Sequence, residues 1–300
     1  MAGGGDDIGT IENIDDAAAT FAAVRRRLFG IAYRMLGTVA DAEDLVQETW
    51  LRWQTCDRST VREPAAFLAT TVTRLAINQL QSARARRETY IGPWLPEPVD
   101  TSADPSLGAE RGEALEFAVL TLLEKLSPTE RAAYVLREAF DYPYPQIAQI
   151  IQSSEASARQ LVSRARKHLS DERQAREVGT AEKRRMLEAF LEAAQSGDMV
   201  QLEKIFTADI VSYSDGGGLA RATRIPVRTR EVVAKYLHAF APRFWDGTVH
   251  IIESNGAPAA VLVRDDAVVA FVTLDVTADG IRQLLWVLNP HKLERIPVPA

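Results

Sequence analysis

Apolar positions follow a helical period through the first and middle parts of the chain and a two-residue period only towards its end. In "DAEDLVQETWLRW", Asp41 to Trp53, the residues Ala42, Leu45, Val46, Thr49, Trp50 and Trp53 share one helical face. Such a stripe predicts a helix with that face turned to a core. The opposite face repeats the spacing with Asp44, Gln47, Glu48 and Leu51. A leucine inside an acidic stripe suits a protein partner with a basic, partly apolar surface. It equally suits a solvated helix with one exposed leucine, since single exposed apolar residues are common.

A second helix is predicted to open at Glu63-Pro64, with proline at the first helical position. Leu68, Val72 and Leu75 then face inward, and Thr73, Arg74, Asn78, Gln81 and Arg84 outward, with Arg84, Arg86 and Arg87 at its end. That polar set, free of acids, suits phosphates and splayed bases. Basic residues at a helix C-terminus are also favoured by the macrodipole alone. Further on, "SPTE" (Ser127 to Glu130) has the form of a capping box and predicts a helix through Ala139. "PYPQIAQIIQ" predicts a short helix with Ile147, Ile150 and Ile151 inward, and Ser153-Ser154 a tight turn with an N-cap. "EASARQLVSRARKHL" follows, with Ala158, Leu161, Val162, Ala165 and Leu169 on one face and Glu155, Arg159, Gln160, Ser163, Arg166 and Lys167 on the other. A short helix, a tight turn and a second helix with a basic outer face form a helix-turn-helix of the kind that enters the major groove.

The pattern changes after about residue 180. Two helices are interleaved with strand-like runs: "DIVSYSD", "VHIIES", "AAVLVR", "AVVAFVTLDV" and "IRQLLWVL". Turns are expected at Asp265-Asp266 and Asp279-Gly280. Helices followed by an antiparallel meander mean an α+β domain. The chain therefore divides into an acidic, structureless tail (1–16), a helical part (17–88), a linker with four prolines (89–108), a second helical part (109–174) and an α+β domain (180–296). The linker is unusual. "GPWLPEPVD" places Trp94 and Leu95 among Pro93, Pro96 and Pro98, where a plain connector would use Ser, Gly, Glu or Lys.

Composition narrows the picture. The chain has 300 residues, 46% of them hydrophobic and 25% charged, as in ordinary globular proteins. No apolar run approaches the ~18 residues of a membrane span, and the acidic start reverses a signal peptide's charge pattern. Cys56 is the only cysteine, which excludes a disulfide framework and a cysteine zinc site and sets a reducing cytoplasm as the expected compartment. The net charge of −6 argues against a nucleic-acid binder, but the basic residues are clustered, and distribution outweighs the sum.

Taken together, "DAEDLVQETWLRW", the Pro-Ala-Phe-Leu helix with its basic end, and "LSPTERAAYVLRE…IAQII…ARQLVSRARKHL" resemble regions two and four of a bacterial extracytoplasmic-function (ECF) sigma factor, over roughly residues 17–172. The resemblance implies two all-α sigma domains and a chain that directs RNA polymerase core to promoters. It puts Asp44, Gln47, Glu48 and Leu51 on the coiled coil of the polymerase β′ subunit. It sets Arg74, Asn78, Gln81, Arg84, Arg86 and Arg87 at the downstream promoter element. The upstream element falls to Glu155, Ser157, Arg159, Gln160, Ser163, Arg164, Arg166 and Lys167. Asn78 stands where the family often has an acid, Gln152 where the turn usually has glycine, and Ser153 where it has an apolar residue.

The last part of the chain resembles SnoaL-like domains, cone-shaped relatives of ketosteroid isomerase. SigJ-type sigma factors carry such a domain fused. "WLPEP" (Trp94, Leu95, Pro96, Glu97, Pro98), "DGGG" (Asp215, Gly216, Gly217, Gly218) and "NPHKL" (Asn289, Pro290, His291, Lys292, Leu293) resemble three motifs of that group. Leu219 replaces the lysine usual after the glycines, and His291 replaces an acid. The resemblance implies that the fused domain contacts this linker and the sigma regions. A stiff strip with a large Trp94 side chain is expected to dock that domain near the "DGGG" and "NPHKL" loops, with Trp94 as anchor, and so to regulate the sigma regions in cis; the alternative is a tryptophan buried locally against sigma region two. Tyr213, Asp215, His238, His250 and Trp286 are candidates to line a cavity, but no His–Asp pairing or metal spacing accompanies them. The expectation is no enzyme, cofactor or metal, and a chain that is monomeric when free. A small-molecule ligand in the cone stays open. The alternative function is a ligand-responsive helix-turn-helix regulator acting without polymerase; a third is a cone-type isomerase or cyclase with a DNA-binding appendage.

Overall fold

The computed structural model describes residues 6–101, 116–170 and 178–299, the side chains of 6–14, 83–88, 170, 242 and 243 excepted. The chain forms two compact units: residues 1–84 with 126–165, and residues 85–125 with 166–300.

The first unit is helical. Helix α1 (Asp6–Leu36) is closed by Gly37, whose left-handed backbone (φ 76°) returns its N–H to Tyr33 O at 2.8 Å. Helix α2 (Val39–Thr55) buries Ala42, Leu45, Val46, Thr49 and Trp53, the predicted face, with Trp50 half-buried. Thr49 satisfies its hydroxyl on Leu45 O, and Trp53 Nε1 donates to Ala17 O at 3.1 Å. The tail expected without structure is helical from Asp6 onward. Ile11, Ile14 and Ala17 continue a helical spacing along the sequence.

Helix α3 (Pro64–Glu88) buries Leu68, Val72, Ala76 and Leu80. Thr73, expected outward, is fully buried and bonds Ala69 O at 2.7 Å, while Leu75 is only half-buried. The buried stripe is thus rotated towards Ala76, and a threonine can join it because its hydroxyl is satisfied on the preceding turn.

Helices α5 (Pro128–Glu138), α6 (Tyr144–Ile150) and α7 (Glu155–Ser170) complete the unit up to residue 165. Ser127 and Glu130 form the predicted capping box, and Ser154 Oγ accepts the Ser157 N–H at the start of α7. Gln152, in the place of the usual glycine, holds the left-handed turn at φ 55°. Helix α5 is tied to α1: Arg131 Nε donates to Arg34 O at 2.9 Å, and the Arg27 and Arg34 guanidinium groups lie over the Phe140 ring.

The second unit is built on a six-stranded sheet in the order β2-β1-β6-β5-β4-β3, with β1 Phe206–Asp215, β2 Val227–Arg228, β3 Thr248–Ser254, β4 Ala257–Arg264, β5 Ala267–Thr277 and β6 Gly280–Val287. Strands β3 to β6 form the expected antiparallel meander; β1 joins β6 in parallel. Asp265 and Asp266 make the predicted turn, both with positive φ, and Asn255-Gly256 makes another that sequence reading passed over. Helices α8 (Thr180–Ser196), α9 (Met199–Ile205) and α10 (Arg230–Phe244) cover one face of the sheet around Phe190, Phe206, Leu284 and Trp286. The opposite face is covered by Leu293 and Ile296 after the short helix α11 (Pro290–Leu293), by Leu95 of the linker, and by Phe117 of helix α4 (Phe117–Leu123). Helix α4, counted with the helix-turn-helix part from sequence, packs on the sheet instead: Phe117 meets Phe271 with ring centroids 5.5 Å apart, and Glu116 pairs with Lys183 at 2.8 Å. A helix this short and this apolar needs a second surface to bury it, and the sheet supplies one.

Candidate functional site: a linker clamp and two helical surfaces

The proline-rich strip lies against the sheet of the second unit. Leu95, Pro96, Glu97 and Pro98 are buried, Leu95 to 1% exposure, while Trp94 is only half-buried. Leu95 is therefore the apolar anchor, in place of the expected Trp94. Trp94 instead offers its ring face to Lys292, whose Nζ sits 4.2 Å from the ring centroid, with Tyr90 on the same ammonium at 5.2 Å. Three prolines hold the strip extended, so little backbone entropy is lost on docking.

Asp215, wholly buried at the end of β1, is the hub. Its Oδ1 accepts from Tyr90 Oη at 2.6 Å; its Oδ2 accepts from Leu95 N at 2.8 Å and Lys292 Nζ at 2.7 Å. Lys292 also donates to Leu95 O, and Asn289 Nδ2 donates to Tyr90 Oη at 2.8 Å. Leu288 N and Asn289 N both donate to Asp215 O, which fixes "NPHKL" against "DGGG". Gly217 (φ 58°) passes so close that a Cβ there would stand 2.4 Å from Asn289 Nδ2 and 2.7 Å from Tyr90 Oη. Only glycine meets both the backbone conformation and the clearance.

Burial first, then the hydrogen bond to the Asp215 carboxylate and its charge, push the Tyr90 phenol well above its ordinary pKa, so it stays a proton donor. Tyr90→Phe removes the bridge between Asp215 and Asn289 and leaves two buried polar groups short of a partner. The expected cost is about 1–3 kcal/mol, read from the thermal unfolding of the second unit.

The two departures from the motif pattern leave this cluster intact. Leu219 is 60% exposed, and the exposed His291 side chain turns to Glu294 at 3.0 Å. Pro290 opens α11, and Leu293 packs under the strip. Further along, the linker pairs with the β3–β4 hairpin. Val99 N donates to Asn255 Oδ1, Asn255 N to Val99 O, and Gly256 N to Thr101 Oγ1. Sequence reading missed Tyr90, Thr101 and Asn255; the one available signal was the Asn255-Gly256 dipeptide between two strand-like runs.

The cavity candidates separate. Trp286 lines a cavity on the helix-covered face, but Tyr213 and Asp215 belong to the opposite face, and His238 is exposed on α10, bonded to Gly197 O. His250 alternates with Val249 and Ile251, which face the helices, so it too lies on the other side. Among the described residues no group of three or more His, Cys, Asp or Glu could hold a metal, and no helix is long and apolar enough to cross a membrane.

In the helical unit, Asp44, Gln47 and Leu51 are exposed and Glu48 is half-buried, paired with Arg52 at 2.8 Å. The face is continuous, and Leu51 stands 49% exposed within it. On α3, Asn78 and Gln81 are exposed. Arg74, expected to face DNA, instead donates from Nε to Ile150 O at 2.9 Å and from Nη2 to Gln149 O at 2.8 Å. It caps the carbonyl end of α6, where a cation meets the last carbonyls of the helix and its dipole. The side chains of Arg84, Arg86 and Arg87 lie outside the described residues. On α7, Arg159, Gln160, Ser163, Arg164, Arg166 and Lys167 are exposed, as is Glu155, and Ser157 is half-buried. Arg159 pairs with Glu155 and lies 4.4 Å from the Tyr144 ring centroid.

An acid-and-leucine helix face, a helix ending in arginines and a helix-turn-helix, followed by a cone that holds the intervening linker, define a sigma-type transcription initiation factor. Residues 20–86 match the family model of sigma-70 region 2, and residues 116–169 that of sigma-70 region 4. The chain belongs to the ECF RNA polymerase sigma factors. It is 35% identical over 293 residues to the ECF RNA polymerase sigma factor SigJ of Mycobacterium tuberculosis, across 93% of each chain. It is 29% identical to the probable ECF RNA polymerase sigma factor SigI of the same species, over 93% of this chain and 96% of that one. The crystal structure of M. tuberculosis SigJ matches with a TM-score of 0.76 and 32% identity, over 92% of this chain and 98% of the other. The chain is accordingly an RNA polymerase sigma factor, of a family whose partners are the polymerase core and promoter DNA, with two helical sigma regions followed by an α+β domain.

Proposed function

We propose that α2 docks on the β′ coiled coil of core polymerase through Asp44, Gln47, Glu48 and Leu51. The outer end of α3 (Asn78, Gln81, Arg84, Arg86 and Arg87) handles the downstream promoter element, and the exposed face of α7 reads the upstream one. The observation that carries this reading is Leu51, half-exposed within an acidic face whose helix buries Ala42, Leu45, Val46 and Trp53 on the other. Arg74 belongs with the α3 set only after it leaves the α6 carbonyls, so the described helical unit is a resting arrangement.

The second unit is a regulator in cis. By holding Tyr90 to Thr101 it fixes the segment that joins the two sigma regions. The reading is of a regulatory domain and not an enzyme: its wholly buried carboxylate, Asp215, is taken up by Tyr90, Leu95 and Lys292. The free chain is a monomer and works in the cytoplasm, where polymerase and promoter DNA are. Run-off transcription tests the reading. The purified chain is expected to confer promoter-specific initiation on core polymerase from fragments selected out of a genomic promoter library. Failure to select any fragment above core alone would overturn it.

A further inference from the structure

On the helix-covered face of the sheet, behind the clamp, lies a cavity of about 50 Å³ lined by Ser214, Arg221, Tyr236, Phe240, Trp245 and Trp286, among others. That is room for about four waters, enough to take the edge of one aromatic ring. Its walls are aromatic: Trp245 and Trp286 have centroids 6.1 Å apart, and Tyr236 meets Phe240 at 4.6 Å. Two features distinguish it from ordinary core. Trp286 is 4% exposed, yet its indole Nε1 is buried and donates to nothing among the described residues. A buried donor without an acceptor is costly, and beside a cavity a bound molecule can supply the missing acceptor. Arg221 is exposed and makes no ion pair or hydrogen bond among the described residues, so its planar fork remains available.

We propose that this cavity binds a single-ring aromatic carboxylate bearing a hydroxyl or carbonyl oxygen. The ring edge enters among Phe240, Trp245 and Trp286. The ring oxygen accepts from Trp286 Nε1, and the carboxylate meets the Arg221 guanidinium at the mouth, where a bidentate charge-assisted pair fixes its orientation. The site stands on the geometry of the cone alone and does not depend on how the helical unit meets polymerase. Its position also suits control of the linker. Ser214 and Leu288 line the cavity, and the residues that follow them, Asp215 and Asn289, are clamp residues.

The test uses the full chain and two probes, salicylate and the uncharged benzyl alcohol, with binding followed by calorimetry. Salicylate is expected to bind saturably with a Kd on the order of 1 mM or below. Arg221→Gln, a change at an exposed side chain, is expected to weaken salicylate about tenfold and leave benzyl alcohol unchanged. Trp286→Phe keeps a ring and removes the N–H, and is expected to weaken salicylate by a similar factor. Absence of saturable binding by the parent chain, or parent-like salicylate affinity in Arg221→Gln, overturns the proposal. So does parent-like affinity in a Trp286→Phe chain with unchanged circular dichroism.

Discussion

Lys292→Ala is expected to lower the unfolding free energy of the second unit by about 3–5 kcal/mol, the cost of leaving one member of a buried ion pair alone. The Lys292 ammonium is 9% exposed at its side chain and the Asp215 carboxylate 0%. Removing the cation strips Asp215 of the charge it pairs with and takes away the donor to Leu95 O. It also removes the cation that lies over the Trp94 and Tyr90 rings. The remaining donors, Tyr90 Oη and Leu95 N, cannot neutralise a carboxylate that water does not reach. Urea unfolding of the full chain checks this, with the second unit's transition followed separately from the helical unit's. The double variant Lys292→Met with Asp215→Asn removes both charges and is expected to recover most of the loss. A single-variant cost under about 1 kcal/mol would place the pair among exposed ion pairs and contradict its burial.

Leu51→Arg is expected to weaken core-polymerase binding on the order of 10²-fold while leaving the melting temperature of the chain unchanged. A substitution that puts a charge at the centre of a docking face costs about 3 kcal/mol, which corresponds to that factor. The same change at a 49% exposed position of a monomer costs little. The contrast between the two readouts separates a docking face from a merely solvated one. The alternative left open by periodicity, a stray surface leucine, requires that polymerase binding not respond. Asp44→Lys on the same face is expected to act more weakly and more at low salt, as rim charges do.

The docked strip gives the fold its functional sense. The segment between the two sigma regions is hydrogen-bonded into the second unit at Tyr90, Leu95, Val99 and Thr101. Arg74 supplies a corresponding restraint inside the helical unit, because a side chain suited to nucleic acid is spent on the carbonyls of α6.

Much of this was legible in the amino-acid order, for identifiable reasons. The buried and exposed faces of α2 and α7, the Ser127–Glu130 capping box and the Asp265-Asp266 turn depend on residues a few positions apart, so periodicity and turn chemistry determine them. Within the sheet, the two-residue alternation marked the meander. What only the tertiary structure decided depends on residues far apart in the chain. Asn289 and Tyr90 meet across 199 positions, Lys292 and Leu95 across 197, and Arg74 and Ile150 across 76. The parallel pairing of β1 with β6, the packing of α4 on the sheet and the choice of Leu95 over Trp94 as anchor are of the same kind. Local preference does not distinguish a tryptophan that buries itself from one that covers a lysine. The difference lies in where the buried carboxylate of Asp215 finds its counter-charge, and that is settled only when the strip and both loops have closed around it.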